Sequence, residues 1–484
     1  MIIGGRVSEK PVLVWFRQDL RLADNPALTA AVSTGAPVIP VFVLDDSGAG
    51  DWRPGGASRW WLHHSLADLD ESLRGKGSRL VLRSGASGQA IRDLVRETGA
   101  DTVLWNRLYE PLAIRRDTAL KSDLKDAGVA VESFPGNLAF EPWTIRTGDD
   151  GPYRVFSPFM KACLRKGAPD QPLTTPDALT APENWPASDE LEGWALQPTT
   201  PDWAGGLRER WTPGETGARR RFGAFLDDAL DNYAKARDQM AGETTSRLSP
   251  HLHFGEISVR SIWQTLDHRE AEGARSVGKF RAELIWREFA HHLLFHYPTL
   301  PEKNWRESFD AFPWVDDPEA LKAWQSGQTG YPLVDAGMRE LWVSGYMHNR
   351  VRMVVASFLI KHLAIHWRHG ADWFWDTLVD ADLANNAASW QWVAGSGADA
   401  APYFRIFNPV RQGQQFDADG AYVRRWLPVL QDLPDRYLHA PWTAPDAVLR
   451  DAGVKLGENY PRPVVDHAEA RARALAGYER VKAL

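Results

Sequence analysis

The chain has 484 residues, 44% hydrophobic and 25% charged, more than one ordinary core needs and enough for two or three soluble domains. No apolar run is long enough for a bilayer, and the N-terminal MIIGGRVSEK lacks the basic-then-apolar pattern of a secretion signal, so a cytoplasmic protein without membrane contact is expected. A single cysteine, Cys163, excludes a disulfide framework, a cysteine-built zinc site and an iron–sulfur cluster, and the net charge of −7 speaks weakly against nucleic acid unless cations gather on one face.

Five short runs rich in β-branched residues open the chain: Val12–Phe16, Pro37–Leu44, Leu80–Arg83, Thr102–Trp105 and Val129–Phe134. They read as strands. Between them, Ala27–Ser33, Ser58–Arg74, Ser87–Glu97 and Leu112–Ala127 carry helical spacing, so residues 1–140 are expected to form an α/β domain with a doubly wound parallel sheet. The first strand is followed by Arg17-Gln18-Asp19-Leu20-Arg21 rather than a glycine fingerprint, which argues against ordinary dinucleotide binding there. Residues 141–206 are rich in Pro, Thr, Asp and Gly and read as a linker crossing a surface. From residue 207 to 484 the spacing is helical, in Arg220–Ala234, Lys279–His296, Pro318–Gln325, Pro332–Val343, Asn349–Ile365 and Asp372–Leu378, and an all-α domain is expected.

Tryptophan is the compositional anomaly, with 23 residues, 13 of them from Trp263 onward. Such side chains serve packing, stacking or electronic purposes. Four clusters combine them with polar groups. In Asp380-Ala-Asp-Leu-Ala-Asn-Asn-Ala-Ala-Ser-Trp-Gln-Trp, two carboxylates and two carboxamides precede Trp390 and Trp392, although a capped helix with core indoles would look the same. His348-Asn349-Arg350-Val351-Arg352-Met353 opens an apolar helix with two arginines pointing different ways; the inward one requires a carboxylate, Asp380 or Asp382, or else is a structural salt bridge. Glu283-Leu284-Ile285-Trp286-Arg287 places Glu283 and Arg287 one turn apart, where an ion pair alone would stabilise the helix. Thr245-Ser246-Arg247-Leu248-Ser249-Pro250 gathers hydroxyls and a cation at a helix start, suited to phosphate and equally to a plain N-cap.

Read together, WFRQDLRLADNPAL, TSRLSPHL, ELIWREF, TGYPLVDAGMREL, MHNRVRM, DADLANNAASWQW and DAAPYFRIFNP occur in the order of the photolyase/cryptochrome family, and the chain resembles that family over nearly its whole length. The resemblance implies a helical FAD-binding domain with a cavity for a pyrimidine dimer flipped out of DNA. It assigns Tyr233, Thr245, Ser246, Arg247, Leu248 and Ser249 to the FAD phosphates, and Arg352, Asp380, Asp382 and Asn386 to the flavin ring, with Asn386 at N5. It assigns Glu283, Trp286, Asn349, Met353 and Trp392 to the lesion pocket, Glu283 as the hydrogen-bonding acid and the two indoles as stacking walls. Trp390, Trp367 and Trp314 fall at the family's electron-transfer positions, and Arg350 and Arg405 at the DNA-contacting rim; Arg219, Arg220, Arg221 and Arg411 are added on charge alone.

Within the family, asparagine rather than cysteine or aspartate at 386, together with Glu283, Trp286, Met353 and Trp392, favours light-driven splitting of cyclobutane pyrimidine dimers over a cryptochrome-like blue-light receptor, the alternative. Asn106-Arg107-Leu108-Tyr109-Glu110-Pro111 with Arg116-Asp117 resembles plant cryptochromes and suggests the class III dimer photolyases. Their antenna would be 5,10-methenyltetrahydrofolate, with Glu110 as a pterin contact, and 8-hydroxy-5-deazaflavin stands as the alternative. The expected partner is damaged DNA, met in the nucleoid by a monomer with no obligate protein partner and no metal.

Overall fold

A computed structural model of the chain describes residues 10–48, 50–400 and 404–483. The N-terminal nonapeptide and residues 401–403 of the DAAPYFRIFNP motif lie outside them. Contacts divide the chain into two units. The first comprises Met1–Ala204, Trp211–Asp231 and Ser246–Pro298; the second comprises Gly205–Arg210, Asn232–Thr245 and Thr299–Leu484.

In the first unit, β1 (Val12–Phe16), β2 (Val38–Leu44), β3 (Val81–Ser84), β4 (Thr102–Asn106) and β5 (Ala130–Phe134) form one parallel sheet in the order β3-β2-β1-β4-β5. Register runs Val12↔Val38 and Val12↔Thr102 on the two sides of β1. Helices α1 (Pro26–Ser33), α2 (Gly56–Arg74), α3 (Ser87–Thr98) and α4 (Pro111–Asp126) link the strands. Every residue of β1 is buried, as both faces of a central parallel strand must be. Leu13, Trp15, Ile39, Val41, Val103 and Trp105 share a single core on one face.

Strand order reverses between β1 and β4, which is where doubly wound folds open a crevice at the carboxyl ends of the strands. Here Arg17 fills it. Its buried guanidinium bonds the carbonyl of Asn106, pairs with Asp117 at 2.6 Å and lies 4.5 Å over the Trp15 ring. Asn106 ties the turn together, donating to Asp19 (2.6 Å) and Asn25 (2.8 Å) and accepting from the Ala27 amide (3.1 Å). The segment expected as a linker carries the helix Phe156–Lys166, whose Phe159 and Cys163 are buried, and burial pushes the Cys163 thiol up to about 12, leaving it unreactive.

The first unit also holds the long helix Val277–His296. The helix expected at Arg220–Ala234 is instead Glu215–Asp228: it starts earlier, after Gly214, because buried Glu215 accepts from the Leu22 amide at 2.8 Å and anchors its first turn.

The second unit is helical, packed around Tyr331, Val351, Leu359, Trp367, Phe374 and Trp390. The helix expected at Asn349–Ile365 is the α-helix Asn349–Ser357 followed by a π-turn, Phe358–His362. Apolar spacing continues through the join, so the widened turn leaves no trace in periodicity. Helices Trp367–Thr377 and Leu383–Ala394 follow, and His467–Lys482 closes the unit.

Candidate active site

The helix Leu383–Ala394 begins because Asp382 caps it, accepting from the Asn385 amide (2.8 Å) and the Asn385 side chain (2.7 Å). Two residues before the cap, Asp380 receives Arg352 through both carboxylate oxygens, at 3.1 and 2.9 Å, while Arg352 Nε bonds the Met347 carbonyl at 2.7 Å. Burial alone would lower the Arg352 pKa, but Asp380 and Tyr346 outweigh it and the net shift is upward, so the guanidinium stays charged. A fixed cation and a carboxylate thus sit at one helix start, a donor set suited to the polar edge of a flavin ring.

Asn386 lies one turn into the same helix. Its Nδ2 donates to the Ala371 carbonyl at 3.0 Å, which leaves the amide a second N–H and its oxygen. Tyr233 is buried under the guanidinium of Arg237, 5.5 Å from its ring. Thr245 belongs to the second unit, and Ser246, Arg247, Leu248 and Ser249 to the first. Arg247 adopts φ +51°, a left-handed conformation uncommon for arginine, and Leu248 amide to Ser246 Oγ (3.4 Å) rounds off the turn before Ser249.

Of the residues that the resemblance assigns to the lesion pocket, Asn349 and Met353 are one turn apart, with Nδ2 3.9 Å from sulfur, and Trp392 is partly buried against the second unit's core. Glu283 and Trp286 share the helix Val277–His296 of the first unit. Glu283 pairs backward with Lys279 at 3.2 Å, whereas Arg287 reaches Glu288 and the carbonyls of Asn137 and Leu252. Trp286 has one face covered by Phe156.

Trp390 packs edge-on against Phe374 (5.0 Å) and Trp324 (6.3 Å). Gly370 lets it in: a Cβ there would overlap the Trp390 ring. Trp367 is buried and donates Nε1 to Asn304 at 2.9 Å, and the His366 ring lies 5.4 Å from that of Trp367 and 4.8 Å from that of Trp314. Arg350 pairs with Asp238 at 2.8 Å and lies 4.4 Å over Phe416, while Arg405 is exposed. Glu110 is half-buried before α4, 3.3 Å from the Gln18 amide. Phe156, Ala371, Gly370, His366 and Asp238 were invisible to sequence reasoning, since each acts by a contact across the chain that no motif encodes.

Residues 12–178 match the family described as DNA photolyase, and residues 280–480 match the FAD binding domain of DNA photolyase. The chain is 56% identical over 473 residues to the deoxyribodipyrimidine photo-lyase of Agrobacterium fabrum, covering 98% of each, and 42% identical to Cryptochrome-1 of Arabidopsis thaliana, covering 95% of this chain and 69% of that one. The crystal structure of a class III photolyase from Agrobacterium tumefaciens superposes with a TM-score of 0.95 at 55% identity, covering 100% of both chains. The protein belongs to the photolyase/cryptochrome family. It is a flavoprotein whose helical region is the family's FAD-binding domain.

Proposed function

We propose that this protein is a class III DNA photolyase, which uses light to split cyclobutane pyrimidine dimers in DNA. The observation that carries the reading is its full-length likeness to bacterial photolyases, at 56% identity over 98% of both chains, against 42% for a plant cryptochrome of which it spans 69%. When bound, reduced FAD would supply the absorption of light and the electron that enters the dimer and returns.

The chain's own residues bind, orient and exclude. Arg352, held by Asp380, places positive charge beside an anionic reduced flavin. Asn386, held by one Nδ2 hydrogen on the Ala371 carbonyl, would keep a donor and an acceptor for flavin N5. Tyr233 and Thr245–Ser249 hold the phosphates. In the first unit Trp286 would stack on a flipped base and Glu283 would donate a hydrogen bond to a pyrimidine carbonyl as negative charge arrives there; in the second, Trp392 would stack on a base, Met353 would pack against the bases and Asn349 would take part in catalysis. Trp390, Trp367 and Trp314 restore the reduced cofactor from the surface. Arg350 and Arg405 touch phosphates without reading sequence.

For the antenna we favour 5,10-methenyltetrahydrofolate with Glu110 as its pterin contact. What supports this choice is the likeness of Asn106–Pro111 with Arg116-Asp117 to the class III photolyases. The protein acts as a cytoplasmic monomer on damaged DNA. One experiment tests the whole reading: illumination of the reduced protein with dimer-containing duplex, following loss of the dimers. Dimers persisting while the flavin photoreduces normally would leave the blue-light receptor as the better account.

A further inference from the structure

Lys361 is 1% exposed, inside the second unit's core. It sits in the π-turn Phe358–His362, and its Nζ bonds the carbonyl of Val393 at 2.8 Å and that of Arg405 at 3.0 Å, 3.9 Å above the Phe404 ring. These partners include no carboxylate. An amine buried in this way is costly, and an apolar side chain of its length would often serve stability better, so its presence calls for a role other than stability.

Its partners indicate the role. Val393 belongs to the last turn of the helix Leu383–Ala394, where carbonyls lack helical donors. The neighbouring carbonyl of Gln391 is satisfied by the amides of Gly395 (3.0 Å) and Gly397 (2.9 Å), whereas the Val393 carbonyl takes Lys361. Val393 follows Trp392 directly, and Arg405 supplies the second carbonyl. Lys361, Trp392, Arg405, Arg306 and Tyr478 all line one cavity of about 20 Å³, room for about a single water. A second strut joins the same pieces: the Phe407 amide donates to Ser357 Oγ, just before the π-turn, at 3.2 Å.

We infer that Lys361 is a positioning residue for dimer recognition: one amine holds the end of the helix that carries Trp392 and the backbone of Arg405, fixing an indole wall and an arginine of the DNA rim to the same point. This rests on the photolyase reading. Burial lowers the Lys361 pKa to about 7, yet the amine keeps two N–H donors after losing its proton, so both hydrogen bonds survive neutralisation. The clamp works through geometry rather than charge.

The test uses full-length, FAD-loaded protein with Lys361→Met, which removes the donors, and Lys361→Gln, which keeps an NH₂ without charge. Three quantities are read on each: FAD per chain, rate of flavin photoreduction, and affinity for dimer-containing against undamaged duplex. Lys361→Met should lower the preference for dimer about tenfold, the scale of a lost buried hydrogen bond, with FAD content and photoreduction unchanged. Lys361→Gln should recover most of the preference. In a Trp392→Ala background, Lys361→Met should cost less than about threefold more, because the two act on one wall. Wild-type preference in Lys361→Met, equal losses with and without Trp392, or FAD shed by both variants would each overturn the inference. A wild-type protein with no preference for dimer would overturn the photolyase reading itself, and this with it.

Discussion

Phe156 lies flat against Trp286, their ring centroids 3.6 Å apart and their planes 6° from parallel. The indole is thereby backed on one face, with Phe289 packed against it at 5.9 Å. Phe156→Ala should loosen the wall and lower dimer affinity by about threefold to tenfold, the worth of one aromatic pair beyond its buried area. Titration of dimer-containing duplex measures this, with FAD content expected to stay constant; unchanged affinity would mean that Trp286 holds its place without support.

Glu283→Gln should lower the yield of dimer splitting per photon far more than dimer affinity. Glutamine still donates a hydrogen bond to a pyrimidine carbonyl but has no proton to share with the negative charge that develops after electron transfer. Affinity and repair yield measured on one preparation decide the matter, and a glutamine variant with full yield would assign Glu283 to positioning alone.

Trp390→Phe should block photoreduction of oxidised FAD while sparing repair by chemically reduced enzyme, since the electron used in repair does not travel the tryptophan chain. Gly370→Ala offers an independent route to the same result, because the added methyl would displace the Trp390 ring. If both variants photoreduce at the wild-type rate, the current flows through other indoles, Trp373 and Trp375 first among them.

Asn386→Asp should slow photoreduction and alter the spectra of its intermediates. The present amide is oriented by Ala371 at 3.0 Å and offers an uncharged oxygen, whereas a carboxylate would set a negative charge against an anionic reduced flavin. Time-resolved absorption under blue light reads the difference, and superimposable traces would remove Asn386 from the neighbourhood of N5.

His292 gives the fold an acid sensitivity of its own. Burial, with His296 alongside, lowers its pKa to about 4; Nδ1 donates to the Pro142 carbonyl (3.1 Å) and Nε2 accepts from the Tyr153 amide (3.0 Å), an arrangement that needs the neutral ring. Below 6.5 the unfolded chain takes up a proton that the folded one refuses, so stability is full above that pH and is lost as pH falls toward about 4. At about 1.4 kcal/mol per pKa unit, His292 accounts for roughly 2 kcal/mol between pH 7 and 5. Denaturant midpoints at those two pH values should lie closer together in His292→Gln than in the wild type.

The five strands were legible to within a residue or two at each end because buried β-branched runs between turn residues have few other uses. Helical stretches were legible wherever an amphipathic stripe met a clear cap, as in Pro318–Gln325. What failed to show depends on partners distant in sequence. Glu215 starts its helix five residues earlier than spacing suggests because Leu22 is there to be bonded. Arg287 reaches carbonyls at Asn137 and Leu252. The π-turn at Phe358–His362 is apolar on either side, so periodicity carries no mark of it, and the inward course of Lys361 went unseen with it.

His366 packs against both Trp314 and Trp367, the outer two indoles of the proposed electron-transfer chain. Burial takes its pKa down to about 4, so near neutral pH its ring bears no charge. On the proposed electron-transfer route, a vacancy reaching these indoles would have an uncharged imidazole beside it instead of an imidazolium that would repel it. The rate of photoreduction would then hold steady across ordinary changes in acidity.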